Sequence, residues 1–370
     1  MKKIIIFSNT SWSLYNFRRN LLIKLVKKKF KVIVLSSKDK TTKKLKDIGC
    51  SFHKIQMERR GDKIFSEILT LFKIYKIIRK MKPDIIFNFT IKPIIYGSLV
   101  SRFLNIKTIN TLDGLGASFE INYFKNLILR FLIRLSQKRV DNFFFVNSSD
   151  LNLFIKEKFV SKRKAKLING TGIDLDYFKF KKNSIKKKII FLLISRLLYS
   201  KGIIEYLNSA LFVSNKLKNR SLFYVAAKKD EDFDDSIPIS KLRKYSNKSN
   251  IKIFYDVNDI KKLIYKSNCV VLPTKYNEGL PRSLLEAASI GRPIITTNVP
   301  GCQRIAKKNF NALIYDKKKP KDLSRCIIKF ILMKKNKKID MSLNSNEVAK
   351  KFNEKKIILK YIKLVDEKKS

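Results

Sequence analysis

Short runs of β-branched and other apolar residues alternate along the whole chain with amphipathic stretches of helix length. In the first half, Lys3–Phe7, Val32–Ser36, Phe52–Gln56, Ile85–Phe89, Thr108–Leu112 and Asn142–Val146 predict strands bounded by turn residues. Between them, Ile64–Met81 carries Ile68, Leu71, Phe72, Tyr75 and Ile78 at helical spacing and predicts a helix. Strand and helix in strict alternation mean βαβ units, hence a parallel sheet wound on both faces.

The pattern weakens over Leu167–Lys188, which is turn-forming and then basic, and restarts with "IIFLLIS" at Ile189. Further strands are expected at Ser221–Ala226, Ile251–Phe254, Cys269–Leu272 and Pro293–Thr297, and the tail from Asn344 to Ser370 reads as helix without another strand. The expected fold class is therefore α/β, with one Rossmann-like doubly wound domain over residues 1–180 and a second over 181–345. A helical segment, 346–370, follows, with a return to the first domain as its candidate course. Two such domains leave a cleft facing the carboxyl ends of both sheets, where folds of this kind bind ligands.

Composition sharpens this picture without redirecting it. A chain of 370 residues exceeds one ordinary domain, and 45% hydrophobic residues with only 11 Gly and 8 Pro build cores rather than disorder. The four cysteines lie far apart with no CxxC or Cys/His cluster, so neither a zinc site nor a disulfide scaffold is expected, and reduced thiols in the cytosol fit best. "MKKIIIF" begins like a signal peptide, but its apolar run stops at "SNTS", and no export is expected. The longest apolar blocks are about a third of the roughly 20 residues a membrane span needs. With 82 basic and 30 acidic residues the net charge is +52, which draws the chain to a polyanion, whether nucleic acid or an anionic lipid surface. Scattered lysine in an Ile- and Asn-rich sequence is equally explained by compositional bias.

Two stretches carry candidate chemistry. In "NEGLPRSLLEAASIGRPI", Asn277 to Ile294, Pro281 suits a first helical turn and Gly291 with Pro293 a stop, so Glu278 precedes a helix that contains Glu286. Both follow the strand ending "VVLPT", at the carboxyl end of a sheet. In "ISRLLYSKG", Ile194 to Gly202, a strand ends at Ser195, and Arg196 and Lys201 stand beside a helix start as a cradle for a diphosphate. Carboxylates repel phosphate but accept hydrogen bonds from hydroxyl pairs, so a diphosphate flanked by sugars, a nucleotide-sugar, suits both sets. The plain alternatives are a helix N-terminal charge for Glu278, an exposed helical residue for Glu286 and solvated loop cations for Arg196 and Lys201.

The segment "NEGLPRSLLEA" resembles the E-x7-E motif, and "SRLLYSKG" the G-R-L-x-x-x-K-G motif, of the family 4 retaining glycosyltransferases of GT-B fold. "NGTGIDLDYF", Asn169 to Phe178, is similar to that family's interdomain N-G-V-D-x-x-x-F segment, and "NVPGCQRI" to its V-P-G-x-x-E-x-V element. The resemblance implies that Glu286 holds the ribose hydroxyls and Glu278 the donor sugar near its C3 and C4 hydroxyls. It also implies that the amides of Gly279 and Leu280 face sugar and diphosphate, and that Arg196 and Lys201 stabilise the leaving diphosphate. Retention by front-face attack, which the family uses, leans on leaving-group stabilisation more than on a strong base.

The loop "DGLGASF" after Thr108–Leu112 is related to a "GLG" loop of transferases that extend polyprenyl-diphosphate-linked sugars. Asp113 is accordingly the candidate acceptor contact, with Gly114 and Gly116 allowing close backbone approach; an Asp favouring a turn before Gly is the alternative. In "SNTSWSLYNFRR", Ser8, Asn9, Ser11 and Ser13 can hydrogen-bond, Arg18 can approach an acceptor diphosphate, and Trp12 either stacks on a sugar or packs. His53, the single histidine, reads as structural. Two nominal DxD matches, Asp174-Leu175-Asp176 and Asp230-Glu231-Asp232, read as an interdomain motif and a solvated acidic loop, and no metal or other cofactor is expected. "YFKNLILRFLIRLSQKR", Tyr123 to Arg139, sets Lys125, Arg130, Arg134 and Lys138 among Leu127, Ile128, Phe131, Leu132 and Leu135. That pattern fits a helix resting on an anionic membrane, or one packed on its sheet with its cations reaching to water.

The resulting expectation is a transferase on the cytoplasmic membrane face that moves a sugar, first of all an N-acetylhexosamine from UDP, to a lipid-linked saccharide in surface polysaccharide assembly. A GDP-mannose donor is the near alternative. A nucleic-acid-binding protein is the distant one, suggested by charge alone and without any recognisable module, so nucleic acid is not expected as a partner.

Overall fold

The computed structural model describes residues 1–57, 64–115, 123–185, 187–230 and 234–367. By its own contacts the chain divides into two compact units. One is Met1–Thr171 together with Lys355–Ser370; the other is Gly172–Glu354. The first unit thus takes its final helix from the far end of the chain. What reads in the sequence as one helical tail is two helices, Lys335–Lys350 in the second unit and Glu354–Asp366, nearly all of it in the first.

The first unit holds β1 (Lys3–Thr10), β2 (Lys31–Ser37), β3 (Ser51–Lys54), β4 (Ile85–Phe89), β5 (Lys107–Leu112), β6 (Asn142–Phe145) and β7 (Ala165–Leu167). They form one parallel sheet in the order β3-β2-β1-β4-β5-β6-β7. The strands lie between helices, which is why they read as unbroken apolar runs rather than alternating ones. Ile5, Phe7, Ile33, Leu35, Ile86, Phe143 and Phe145 share one core with Ile74, Ile78 and Phe154 from the helices.

The helix Ile64–Met81 has the predicted bounds and part of the predicted face: Leu71, Tyr75 and Ile78 turn inward, Ile68 and Phe72 do not. Ile74 and Ile78 are fully buried with Leu71, Tyr75 and Met81 beside them, whereas Ile68, Leu69 and Phe72 are exposed. The helix Tyr123–Ser136 likewise buries Ile133 and leaves Leu127, Ile128 and Phe131 in water. Both helices pack against Ile91–Leu104. Among the described residues no helix is long and apolar enough to cross a membrane.

The second unit holds β8 (Ile189–Arg196), β9 (Ser221–Lys228), β10 (Ile251–Tyr255), β11 (Cys269–Leu272), β12 (Ile294–Thr297) and β13 (Ala312–Tyr315), parallel in the order β10-β9-β8-β11-β12-β13. Alternate residues of β8 serve opposite faces: Phe191 and Leu193 pack in one core, Leu192 with Val270 and Leu284 in another. Both units are Rossmann-like. In each, strand order reverses beside the first strand, at β1/β4 and at β8/β11, and ligands of open α/β sheets bind outside the carboxyl ends at such a reversal.

Candidate functional site

In the second unit, the two stretches singled out in the sequence flank the β8/β11 reversal. Arg196 ends β8, and Lys201 closes the short turn Tyr199–Lys201 that leads into the helix Ile203–Lys216. Glu278 lies in the loop between β11 and the helix Arg282–Ile290, which contains Glu286. The amine of Lys201 lies 2.5 Å from Glu278 Oε1, and side chains of both are only about a tenth exposed. Thr274 donates to the same oxygen at 3.0 Å, and the Tyr276 ring centroid stands 4.3 Å from the lysine nitrogen.

Two glycines make this approach possible. Gly202 has φ 74, and a Cβ there would overlap the Pro273 carbonyl, so the turn carrying Lys201 can rest directly on the end of β11. A Cβ on Gly301, in "NVPGCQRI", would overlap the carbonyl oxygens of Glu278 and Gly279. That glycine therefore lets the start of the next helical turn lie flat against the loop of Glu278, Gly279 and Leu280.

Arg196 meets a carboxylate the sequence reading set aside. Its Nη1 lies 2.9 Å from Asp230 Oδ2, and Asp235 accepts from both the amide and the hydroxyl of Ser200. The acidic stretch Asp230–Asp235 is thus not simply solvated: its two ends hold the Arg196–Lys201 turn from β8's other neighbour, β9, while Glu231 and Asp232 lie outside the described residues. Asp174, in the other nominal DxD, caps its own turn by accepting from the amides of Asp176 and Tyr177. Among the described residues no group of three His, Cys, Asp or Glu side chains is gathered as a metal site would require.

Glu286 pairs with Arg282 one helical turn earlier, at 3.0 Å, and Arg282 also donates to the Gly172 carbonyl. Burial raises the Glu286 carboxyl above its ordinary value, with the arginine opposing that shift. The four thiols are free, and burial lifts Cys50 and Cys302 to about 12, so neither is a nucleophile at neutral pH.

In the first unit, Arg18, on the helix Ser11–Lys27 that follows β1, meets Asp113, which follows β5. Arg18 Nη2 lies 2.7 Å from Asp113 Oδ1; the arginine side chain is 4% exposed, the aspartate 36%. The guanidinium carbon sits 4.0 Å above the Phe89 ring, at the end of β4. Asp113 is therefore the member of the pair that faces solvent, with Arg18 behind it. Ser11, expected as an acceptor contact, is instead fully buried as the first residue of the helix Ser11–Lys27, its hydroxyl engaged with Ser36, Ser37 and Thr42, and so it fastens that helix start to the end of β2. Ser8 and Ser13 bond to each other; Trp12 is half-exposed, edge-on to Phe17. His53 is exposed on β3. Gly114 has φ 134, a conformation that favours glycine, and Leu115 donates its amide to Asp150; Gly116 lies outside the described residues.

Sequence reasoning missed Asp230, Asp235, Thr274, Arg282 and Tyr361. Only Arg282 had a signal, its spacing of four from Glu286 in a predicted helix. Thr90, after β4, holds φ 73, strained for a β-branched residue and of the kind that gathers at working sites.

Residues 176–366 match the family model of the "Glycosyl transferases group 1", and residues 3–147 match that of the "Glycosyl transferase 4-like" proteins. The chain is 28% identical over 381 residues to the N,N'-diacetylbacillosaminyl-diphospho-undecaprenol alpha-1,3-N-acetylgalactosaminyltransferase of Campylobacter jejuni, covering 98% of each. It is 24% identical over 269 residues to the UDP-Gal:alpha-D-GlcNAc-diphosphoundecaprenol alpha-1,3-galactosyltransferase of Escherichia coli, covering 70% of this chain and 68% of that one. The Anabaena protein HepE, solved with UDP and glucose, superposes with TM-score 0.80 over 100% of both chains at 14% identity, which establishes the fold.

Proposed function

The chain belongs to the group 1 glycosyl transferases and is a hexosyltransferase of GT-B fold, and on that premise we propose that it moves an N-acetylhexosamine from UDP to a saccharide on a polyprenyl diphosphate, with retention. The observation that carries the reading is the meeting of Lys201 and Glu278 at the β8/β11 reversal, with Arg196 on the adjoining strand end. Such a site sets cations for a diphosphate beside a carboxylate for sugar hydroxyls.

In this proposal Arg196 and Lys201 exchange Asp230 and Glu278 for the diphosphate and stabilise it as it leaves, without a metal ion or other cofactor. Glu278, released from Lys201, accepts from the transferred sugar, the Gly279 and Leu280 amides face sugar and diphosphate, and Glu286 accepts from the ribose. Asp113, held by Arg18 and followed by Gly114 and Gly116, meets the acceptor. The relatives from C. jejuni and E. coli, named for diphospho-undecaprenol-linked acceptors, support the acceptor class; the name of the first supports an N-acetylhexosamine donor.

The proposed place of work is the inner face of the cytoplasmic membrane. Exposed Phe72, with Lys76 4.6 Å from its ring, and exposed Phe131 give a surface of apolar side chains among cations, suited to anionic lipid. Calorimetry with UDP, GDP and ADP tests the donor: UDP is expected to bind, preference for GDP would move the reading to a donor such as GDP-mannose, and binding of RNA without any nucleotide would overturn it.

A further inference from the structure

The final helix, Glu354–Asp366, brings a buried side-chain hydroxyl to the sheet of the first unit, that of Tyr361, 1% exposed. Its ring is fixed edge-on against Phe87 and Phe144 at centroid distances of 5.5 and 5.4 Å and lies 6.1 Å from Phe89. The hydroxyl lies 2.7 Å from Thr111 Oγ1 and 3.2 Å from Arg18 Nη1.

Arginine has no lone pair to offer, so Arg18 donates to the tyrosine oxygen, which leaves the tyrosine its own proton; either hydroxyl of the Tyr361–Thr111 pair can donate to the other. Burial raises the Tyr361 phenol above its ordinary value, which keeps that proton in place. The other terminal nitrogen of Arg18 holds Asp113. Three contacts therefore fix one guanidinium: a ring beneath it, a buried hydroxyl at one nitrogen and a half-exposed carboxylate at the other.

We propose that Tyr361 is a positioning residue for the acceptor side of the site: through Arg18 it sets where the Asp113 carboxylate stands. Thr111 and Asp113 are two residues apart, one inside β5 next to its last residue and one following it, so the same hydroxyl braces both the strand that presents Asp113 and the cation that holds it. Without that hydroxyl Arg18 keeps its buried location but loses an acceptor, turns to find another, and takes Asp113 with it. The inference rests on the reading of Asp113 as an acceptor contact.

Tyr361→Phe keeps the ring and removes only the oxygen. With the full chain, UDP-N-acetylgalactosamine as donor and undecaprenyl-diphosphate-linked N-acetylhexosamine as acceptor, it is expected to raise the acceptor KM about tenfold, the scale of one lost hydrogen bond to a charged group. The donor KM and the Kd for UDP stay near wild type. Asp113→Asn, measured in parallel, raises the acceptor KM as well, and the double variant resembles Asp113→Asn alone, because both changes act on one group.

If Asp113→Asn leaves the acceptor KM unchanged, the reading of Asp113 fails. If it raises that KM while Tyr361→Phe does not, or if the two effects simply multiply, the role of Tyr361 fails and that of Asp113 stands. A rise of donor and acceptor KM together marks a merely structural tyrosine and also overturns the inference. Should Tyr361→Phe not fold, Thr111→Val, which removes only the hydroxyl partner of the tyrosine, is expected to raise the acceptor KM about threefold by loosening the hold on the tyrosine hydroxyl; no rise refutes the inference.

Discussion

Lys201 Nζ and Glu278 Oε1 are 2.5 Å apart although 77 positions separate them in sequence, one following β8 and the other β11. Each is largely shielded from water, so each neutralises the other. In the proposed reaction, a diphosphate that claims the lysine would free the glutamate for a hydroxyl partner.

Removing one member of this pair strands the other. Lys201→Met is expected to abolish turnover and to lower unfolding free energy by about 3 to 5 kcal/mol, the range for breaking a shielded ion pair. Lys201→Met with Glu278→Gln should recover most of that stability and none of the activity. Denaturant unfolding beside a turnover assay decides it, and a double variant no more stable than the single one would count against the coupling.

The proposed ribose contact of Glu286 predicts a pH dependence of UDP binding. Its carboxyl is raised by burial, so in the folded protein the proton is held to a higher pH than in the unfolded chain, and the ionised form is the disfavoured one. A carboxylate that accepts from ribose hydroxyls must be ionised, so UDP affinity should fall as pH drops, beginning above the ordinary carboxylate range. Glu286→Gln should bind UDP more weakly at neutral pH and lack this component. Taking the ratio of the two Kd profiles cancels the titration of UDP itself; parallel profiles would refute the assignment.

Gly301→Ala tests the loop from behind. The added methyl overlaps the carbonyl oxygens of Glu278 and Gly279, both backbone atoms, so the loop has to move. Overpacking of this kind costs about 1 to 3 kcal/mol, and turnover should fall with it. Wild-type melting temperature and wild-type turnover together would show that the loop has slack.

The membrane proposal predicts binding to vesicles containing anionic phospholipid and little binding to neutral ones, with added salt weakening it. Phe72→Asp with Phe131→Asp should reduce vesicle binding at least about tenfold, since each ring stands to bury roughly 1.5 to 3 kcal/mol of apolar surface. UDP binding should be unaffected. Vesicle sedimentation unchanged by the two aspartates would remove this surface from consideration.

The two parallel sheets were legible because strands covered on both faces are written as apolar runs such as "IIFLLIS". β7 and β13 escaped notice: Ala165–Leu167 spans three residues in a basic stretch, and Ala312–Tyr315 four. The exposed Ile68 and Phe72 defeated part of the helical-face argument, which assumes that apolar residues at regular spacing face inward. Glu278, Glu286, Arg196 and Lys201 stood out because short local motifs fix strand ends and helix starts. Asp230 did not, since its partner is set by strand pairing between β8 and β9 and its neighbours look like a solvated acidic loop. Tyr361 lies 343 positions from Arg18, and nothing local announces a partner at that distance.

The first unit is written in two pieces of the gene, with the whole of the second unit between them. During synthesis, the pocket among Phe87, Phe89 and Phe144 has no tenant until the ribosome has delivered Tyr361. Arg18 and Thr111 likewise wait for its hydroxyl, while the second unit can fold as soon as its own residues emerge. Strand pairing in the amino-terminal sheet can begin early, but the settling of Arg18 against Asp113 waits until the second unit has been made and Tyr361 follows it.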